Sequence, residues 1–443
     1  MSQPATDETY VRRLGMRDAA MIVVGGIIGG GIFLNPGIAA QRTASGLSLL
    51  LMWAAAGLLT LVGALCYAEL GARRPQAGGS YVYLREAFGP MAGFLFGWTM
   101  LLVIYSGSTA AVATVFASYA SAVFGLDPGM IRPLAAAALI FVAAINLFGL
   151  RLGAQIQNLF TVLKLAAIAI LIAAGLYLAS RHHQPLLAVD PASADVGFMG
   201  AALPVLFAYS GFTYLNNLAG EVHQPQRTLP RAMLVGMLIV VAVYTLVNTA
   251  YLAALGHAGL AASHTPAADV MARLFGPAGS QLIAIGIAIS TLGFCNITLV
   301  AGARVLQVMG RDGLFFTSIG QLDPRHRTPN RALLLLTGWS IVLAVSGSYG
   351  QLLDYATFGD WLACALGIAT LFWYRRHDRQ QPVSFRVPAY PWLPLLFMVC
   401  IAGVVAETLY SRPRDSGIGV LIILAGIPAY LGWQAWTRRR PGR

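Results

Sequence analysis

Twelve apolar stretches dominate this 443-residue chain, each near the roughly 20 residues that a helix needs to cross a bilayer. They fall at about 17–42, 46–70, 88–122, 131–149, 153–180, 196–219, 232–256, 277–309, 331–346, 352–374, 391–410 and 416–437. Segments three and eight are long enough to tilt or to run on into water. Only 10% of the residues are charged and 57% are hydrophobic, against about 25% charged in a typical soluble domain. So few charges cannot cover a water-soluble surface. The length would otherwise suggest about three soluble domains; composition points instead to one polytopic helical bundle in lipid. No fixed repeat of the solenoid kind is visible.

The net charge of +12 does not mark a nucleic-acid binder, because the arginines form short runs between apolar stretches rather than one basic segment. With the N-terminus placed in the cytoplasm and sides alternating, 22 arginines fall inside and 6 outside, and Lys164 is left within a span. The positive-inside rule produces such a bias only when span count and orientation are right. Both termini are therefore expected in the cytoplasm, with the bundle in a plasma membrane, most simply a bacterial inner membrane. The opening MSQPATDETYVRRLGMRDAA lacks the pattern of a signal peptide, so the first apolar run is expected to remain as a span. Cys66, Cys295, Cys364 and Cys400 all lie in apolar stretches, and no metal-ligand spacing or cofactor motif accompanies them.

Segment one reads GGIIGGGIFLNPG, with Gly25, Gly26, Gly29, Gly30 and Gly31 inside seven residues. Each glycine costs a helix interior up to about 1 kcal/mol relative to alanine, so this stretch unwinds cheaply. Unwound backbone at membrane depth survives only where protein buries it or a cavity receives it. There its N–H groups and the positive end of the following half-helix can hold a carboxylate. The alternative is close helix packing through the Gly25/Gly29 pair. Segment six reads LPVLFAYSGFTYLNNLAGE, in which Phe207, Ala208, Tyr209, Ser210, Gly211 and Phe212 alternate bulky and small groups. Phe207 is a candidate gate over a substrate; ordinary aromatic packing is the alternative. The two interrupted segments lie five spans apart and start on opposite sides of the membrane. That is the pattern of an inverted five-plus-five repeat, here about 17–180 and 196–374, with two further helices at 391–437 in one domain of residues 1–443.

Lys164, the single lysine of the chain, lies about twelve residues into segment five. At 1.5 Å per residue it is roughly 18 Å deep, near the midplane. Burying an ammonium there costs at least about 2.5 kcal/mol, and its stem is too short to reach water. It is therefore a candidate functional charge. Tyr244 and Asn248 in VYTLVNTAY are candidates for closing or solvating the same site, or for plain interhelical hydrogen bonds. Glu69 and Glu221 are expected to pair with nearby arginines at span ends. Gly89, Gly93 and Gly97 are expected to be packing glycines on one helix face. His182, His183, His223 and His326 fall in loops, and the sequon at Asn296 lies mid-span, where it goes unused.

Several of these stretches together are familiar. GGIIGGGIF resembles the first-helix motif of the amino acid–polyamine–organocation transporters. CYAELGARRPQAGGSYVYLREAFGP (66–90), FAYSGFTYLN and GEVHQPQRTLPRA (220–232) resemble that family's stretch after helix two, its sixth helix and the loop that follows. Within the family the L-type amino acid transporter group and its bacterial relatives look nearest. The resemblance implies an all-α integral membrane protein of twelve transmembrane helices, a LeuT-type inverted repeat with helices 1 and 6 broken, and alternating access. It implies that a substrate carboxylate meets the backbone at Gly29, Gly30 and Gly31. The amino group would meet carbonyls around Gly26, Ile27, Phe207, Ala208 and Ser210, with Phe207 as the gate. It implies that Lys164 stands in for a bound cation, bridging Gly25 to Ser290 or Thr291 on the eighth helix, and that Tyr244 and Asn248 match a seventh-helix pair. Gly30 stands where serine or alanine is usual, and Phe212 where tryptophan is frequent. Both departures bear on side-chain preference.

The expected function is sodium-independent transport of neutral L-amino acids by exchange or facilitated flux, with no cofactor. Proton-coupled symport, with Lys164 changing protonation, is the alternative carrier reading; a channel or nutrient sensor on the same fold is the alternative class. No nucleophile–base pair, metal cluster or nucleotide loop supports an enzyme. Eukaryotic members of the group bond a heavy subunit through a cysteine between helices three and four. The matching loop here, FGLDPGMIRP, has none, so no disulfide-linked partner is expected.

Overall fold

The computed structural model describes residues 10–181, 198–347, 349–380, 382–411 and 413–438, and those residues form a helical bundle. The first apolar segment is α1 (Met16–Ile27) and α2 (Gly31–Ala40), followed by α3 (Gly46–Arg73) and the short α4 (Ser80–Phe88). The third segment is α5 (Pro90–Thr99), a π-helical turn (Met100–Ile104) and α6 (Tyr105–Phe124). Then come α7 (Ile131–Leu147), α8 (Leu150–Arg181), and the sixth segment as α9 (Phe198–Tyr209) and α10 (Tyr214–Asn217). The remainder is α11 (Pro225–Ala262), α12 (Pro266–Arg311), α13 (Asn330–Ser346), α14 (Tyr349–His377), α15 (Trp392–Ser411) and α16 (Pro413–Arg438). One isolated parallel bridge, Leu14 to Val222, is the sole β pairing among the described residues.

Ten helices among the described residues are long and apolar enough to cross a membrane. The sixth segment is not among them, nor is the ninth, α13, which has 17 residues. Local chemistry sets the boundaries. Ser45 caps α3 by accepting from the Ser48 N–H at 3.1 Å. Proline opens α5, α11 and α12, where its missing N–H costs nothing. Gly125, left-handed at φ 62°, closes α6. Leu58, Phe141, Val399 and Leu421 point outward and exposed, the arrangement expected where lipid replaces water as solvent.

Two length expectations and one packing expectation are refined. The helix of segment seven breaks at Gly256 (φ 71°), and segment eight starts after a second break at Gly276 (φ 62°), so a short extra helix accounts for the length of α12. Segment three accommodates its length partly through the π turn. Gly89 is not a packing glycine: it has φ 93° and open space where a Cβ would stand, and it separates α4 from α5. Gly93 and Gly97 do pack, against Arg85 and Met309.

Around this frame, α3 packs on α11, and α12 packs on both α6 and α8. α1 lies against α8 and α11, and α2 against α9 and α11. The two interrupted segments are thus enclosed by the long helices.

Candidate functional site

The glycines of segment one act at close range. α1 ends at Ile27 and α2 begins at Gly31. A Cβ at Gly31 would stand 3.0 Å from Ala208 Cα, and one at Gly29 2.8 Å from the Phe294 ring. At Gly26 it would meet Tyr214 at 3.0 Å. Gly30 differs: a Cβ there would be in ordinary contact, 3.5 Å from Thr291 and Val115. Among the described residues no acceptor is bonded to the N–H groups of Gly29, Gly30 or Gly31. These are the unpaired donors that a helix start leaves, and they carry the positive end of α2.

The sixth segment breaks at Gly211, whose φ of 101° is open to glycine at little cost. A Cβ there would collide with the Gly26 carbonyl, so the two breaks touch. Asn35 Nδ2 donates to Pro204 O at 2.6 Å and ties α2 to α9. Ser210 turns back on its own chain, its N–H and Oγ both donating to Phe207 O at 3.2 and 2.9 Å. Phe207 is 5% exposed and joins none of the ring pairs among the described residues. Tyr209 joins two, meeting Trp53 and Tyr244 with centroids 5.8 and 4.9 Å apart.

The Tyr244 hydroxyl sits between the breaks, 3.2 Å from Ile27 O and 2.9 Å from Ala208 O. A phenol has one proton to give, so one of those carbonyls can still accept from another donor. Asn248 reaches only back to Tyr244 O, at 2.8 Å, and its Oδ1 is buried without a partner.

Lys164 is fully buried, and its Nζ donates to Gly25 O at 3.1 Å and Ile28 O at 2.5 Å. These are carbonyls that the end of α1 leaves free. The expected link to the eighth helix takes another form. Ser290 Oγ donates to Gly29 O at 3.4 Å, and Thr291 bonds carbonyls of its own helix. The ammonium instead passes Gly293, 3.4 Å from where a Cβ would stand. Gln157, Thr161 and Lys164 share one face of α8, and Thr161 also reaches Met21 O at 3.4 Å. Asn296 donates to Gln157 Oε1 at 2.8 Å and accepts from Asn146 at 2.6 Å. This amide chain was absent from the sequence reading. Its signal was the spacing of polar residues four and three apart before Lys164.

A cluster of ion pairs lies at one end of the bundle, the arginine-rich end. Glu69 holds Arg73 at 2.7 Å and Arg375 at 2.5 Å, and accepts from the Val387 N–H at 2.7 Å. Arg74 joins Glu86 and Asp378, each at 2.6 Å, and Arg85 pairs with Asp312. Buried Glu221 pairs with Arg304 at 3.0 Å. The Glu221 carbonyl accepts from Arg13 and Leu14 N–H groups at 2.8 and 2.9 Å, which ties the strand before α1 to the end of the sixth segment. His223 donates its N–H to Leu14 O, and His326 lies 3.3 Å from Asp323. His182 and His183 lie outside the described residues. Near the other end, a cavity of about 340 Å³ is lined by Leu34, Thr114, Val115, Ser118, Tyr119, Ala122 and Thr265. A Cβ at Gly30 would stand 3.5 Å from Val115, so this cavity approaches the first break. The four cysteines are free thiols.

A sequence model of the amino acid permeases matches residues 14–432. The chain is 32% identical over 431 residues to the serine/threonine exchanger SteT of Bacillus subtilis (strain 168), covering 96% of this chain and 98% of that one. It is 33% identical over 446 residues to the b(0,+)-type amino acid transporter 1 of Homo sapiens, covering 97% and 89%. To the large neutral amino acids transporter small subunit 2 of Oryctolagus cuniculus it is 31% identical over 443 residues, covering 97% and 81%.

Proposed function

The chain belongs to the amino acid permease family, and on that premise we propose that it exchanges amino acids across a membrane by alternating access, without sodium. The observation that carries this reading is the Lys164 ammonium on the Gly25 and Ile28 carbonyls. A fixed positive charge on the open end of a half-helix leaves a metal ion little to do there. Neutral amino acids are the expected cargo: the named activity of the serine/threonine exchanger and of the large neutral transporter supports that choice.

In this reading the N–H groups of Gly29, Gly30 and Gly31 take the substrate carboxylate, and the α-ammonium goes to carbonyls near Gly26, Ile27, Phe207, Ala208 and Ser210. Tyr244 shares those carbonyls and yields one of them when substrate arrives; Asn248 braces Tyr244 from one turn away. Phe207, outside the ring cluster, swings as the gate. Residues 17–180 and 196–374 are the two inverted repeats that rock about this centre. The arginine-rich end faces the cytoplasm and is closed here by its ion pairs, while the cavity beside Val115 is the entry from outside. The carrier works in a plasma membrane without a disulfide-linked subunit.

Counterflow in liposomes reconstituted with the purified protein tests this. Unlabelled amino acid inside should drive saturable uptake of labelled serine, threonine or leucine in sodium-free buffer. Flux that does not saturate and shows no counterflow would mean a channel. Uptake driven only by a proton gradient would mean symport.

A further inference from the structure

Where α4, α5, α14 and α16 meet there is another cavity, of about 210 Å³. It begins beside Leu84 and Phe88 of α4, the helix whose Arg85 and Glu86 join the ion pairs of the arginine-rich end. It passes Ala92 and Leu95 on α5 and ends at Ile104 in the π turn. Ile104 lies fourteen residues past Pro90, roughly 20 Å at 1.5 Å per residue. That depth is close to half of a bilayer about 40 Å thick with its headgroups. The cavity is thus a slot running from one membrane face to near the midplane.

Fixed contacts hold its walls in place. Trp98 Nε1 donates to Ile422 O at 3.1 Å, and a Cβ at Gly426 would stand 2.7 Å from Leu95, so α16 is seated on α5. At the deep end a Cβ at Gly359 would stand 3.0 Å from Ile104, which seats α14 on the π turn. Toward the mouth, Arg74 lies over the Tyr374 ring, 4.8 Å from its centroid, and tethers α14 to the end of α3. Between these points the slot is lined by Leu362, Ala363 and Leu366 of α14 and Ile423 of α16. Thr99 is the one polar side chain of the lining, and its hydroxyl is engaged by Leu95 O at 2.8 Å. A cavity so apolar does not hold water, and left unfilled its lining forfeits dispersion contacts. α5, α14 and α16 belong to spans apolar enough to cross a membrane, and Phe88 and Leu366 are exposed at its edge. The medium at that edge is hydrocarbon.

We propose that this slot binds one acyl chain of a membrane phospholipid, drawn from the leaflet on the arginine-rich side. The end of the chain reaches the π turn. The headgroup phosphate stays at the level of Arg74 and Arg85, an end of the bundle whose charge suits it. The bound chain supplies the contacts that α5, α14 and α16 leave open, and so steadies α14 on the π turn. Such turns recur at functional sites. Trp361 of the same helix packs on Phe212 of the second break, with centroids 6.2 Å apart, so a filled slot bears on the scaffold beside that break. The site does not depend on which cargo the carrier takes.

The test is photocrosslinking in proteoliposomes with a phosphatidylglycerol that carries a diazirine near the end of one acyl chain, followed by peptide mapping. In the wild type the label should concentrate on residues 92–104 and 359–366. Ala363→Leu fills the slot and displaces at least about two methylenes of the chain, so it should cut that labelling by about tenfold. Leu58→Phe, on an exposed face of α3, should leave it unchanged. Thermal unfolding in detergent gives a second reading: added phosphatidylglycerol should raise the melting temperature of the wild type but not of Ala363→Leu. Label spread evenly over the outward faces of the wild type, as from bulk lipid, would overturn the proposal, and that map needs no variant to fold. Equal labelling of wild type and Ala363→Leu, or an equal rise in their melting temperatures, would overturn it too. So would a second copy of the chain found crosslinked across the slot.

Discussion

Between Ile27 and Gly31 the chain leaves the helix through consecutive glycines, and the carbonyls it strands receive an ammonium from α8. Between Tyr209 and Tyr214 it leaves through Gly211 at φ 101°, with a phenol and a serine hydroxyl for partners. The first break therefore depends on one charge supplied by a distant helix, and the second on one backbone conformation and neutral hydrogen bonds. Charge-assisted bonds are roughly twice as strong as neutral ones, and a positive-φ turn needs no partner at all. The first break should be the one that a single side-chain change can disconnect from the scaffold.

That contrast can be broken most directly at Lys164. Lys164→Ala strands two buried carbonyls at about 1–3 kcal/mol each, so initial exchange should fall by more than about tenfold. Retention of most of the wild-type rate would erase the difference between the breaks. Gly211→Ala comes next. The left-handed conformation costs a side chain about 1–2 kcal/mol, and the new Cβ strikes the Gly26 carbonyl. Lower thermal stability and reduced uptake together are expected; an unchanged melting temperature would show that the second break does not need its glycine.

Tyr244→Phe removes one neutral hydrogen bond, worth about 1 kcal/mol, so affinity should change by only a few fold. A loss as large as that of Lys164→Ala would make the second break equally dependent on one side chain. The smallest effect is expected inside the glycine run itself. Gly30→Ala should transport within about twofold of wild type, because its Cβ has ordinary contacts only. Gly31→Val, by contrast, drives a β-branched group against Ala208 and should abolish binding in a scintillation proximity assay. Equal tolerance at the two positions would remove the close approach of α2 to α9 from the account.

Much of the fold was legible because lipid demands long apolar runs and arginine marks their ends. Residues 25–31 announced a break by composition, and a lone lysine at mid-span stood out as a candidate functional charge. Other features left weaker traces. Helix turns around Gly256 and Gly276 depend on backbone angles that single glycines do not advertise. Gly89 shares its spacing with Gly93 and Gly97, yet serves conformation where they serve packing. The partner of Lys164 on α12 was expected to be a hydroxyl, but Ser290 goes to Gly29 and Thr291 to its own helix. A hydroxyl of that size can bond its own helix, as Thr291 does, or a neighbouring segment, as Ser290 does, and sequence spacing does not say which. Asp360 was readable in principle as an acid inside the tenth apolar run. What the run could not show was that, among the described residues, no arginine pairs with it as one does with Glu69 and Glu221.

The central claim is that Lys164 takes the place of a cation at the first break of a sodium-independent exchanger. It is tested by initial exchange rates across a range of substrate concentrations, for wild type and Lys164→Ala, with sodium present and absent. The wild type should exchange equally in both buffers, and the variant should lose turnover far more than apparent affinity. An absolute requirement for sodium in the wild type, or unchanged kinetics in the variant, would contradict it.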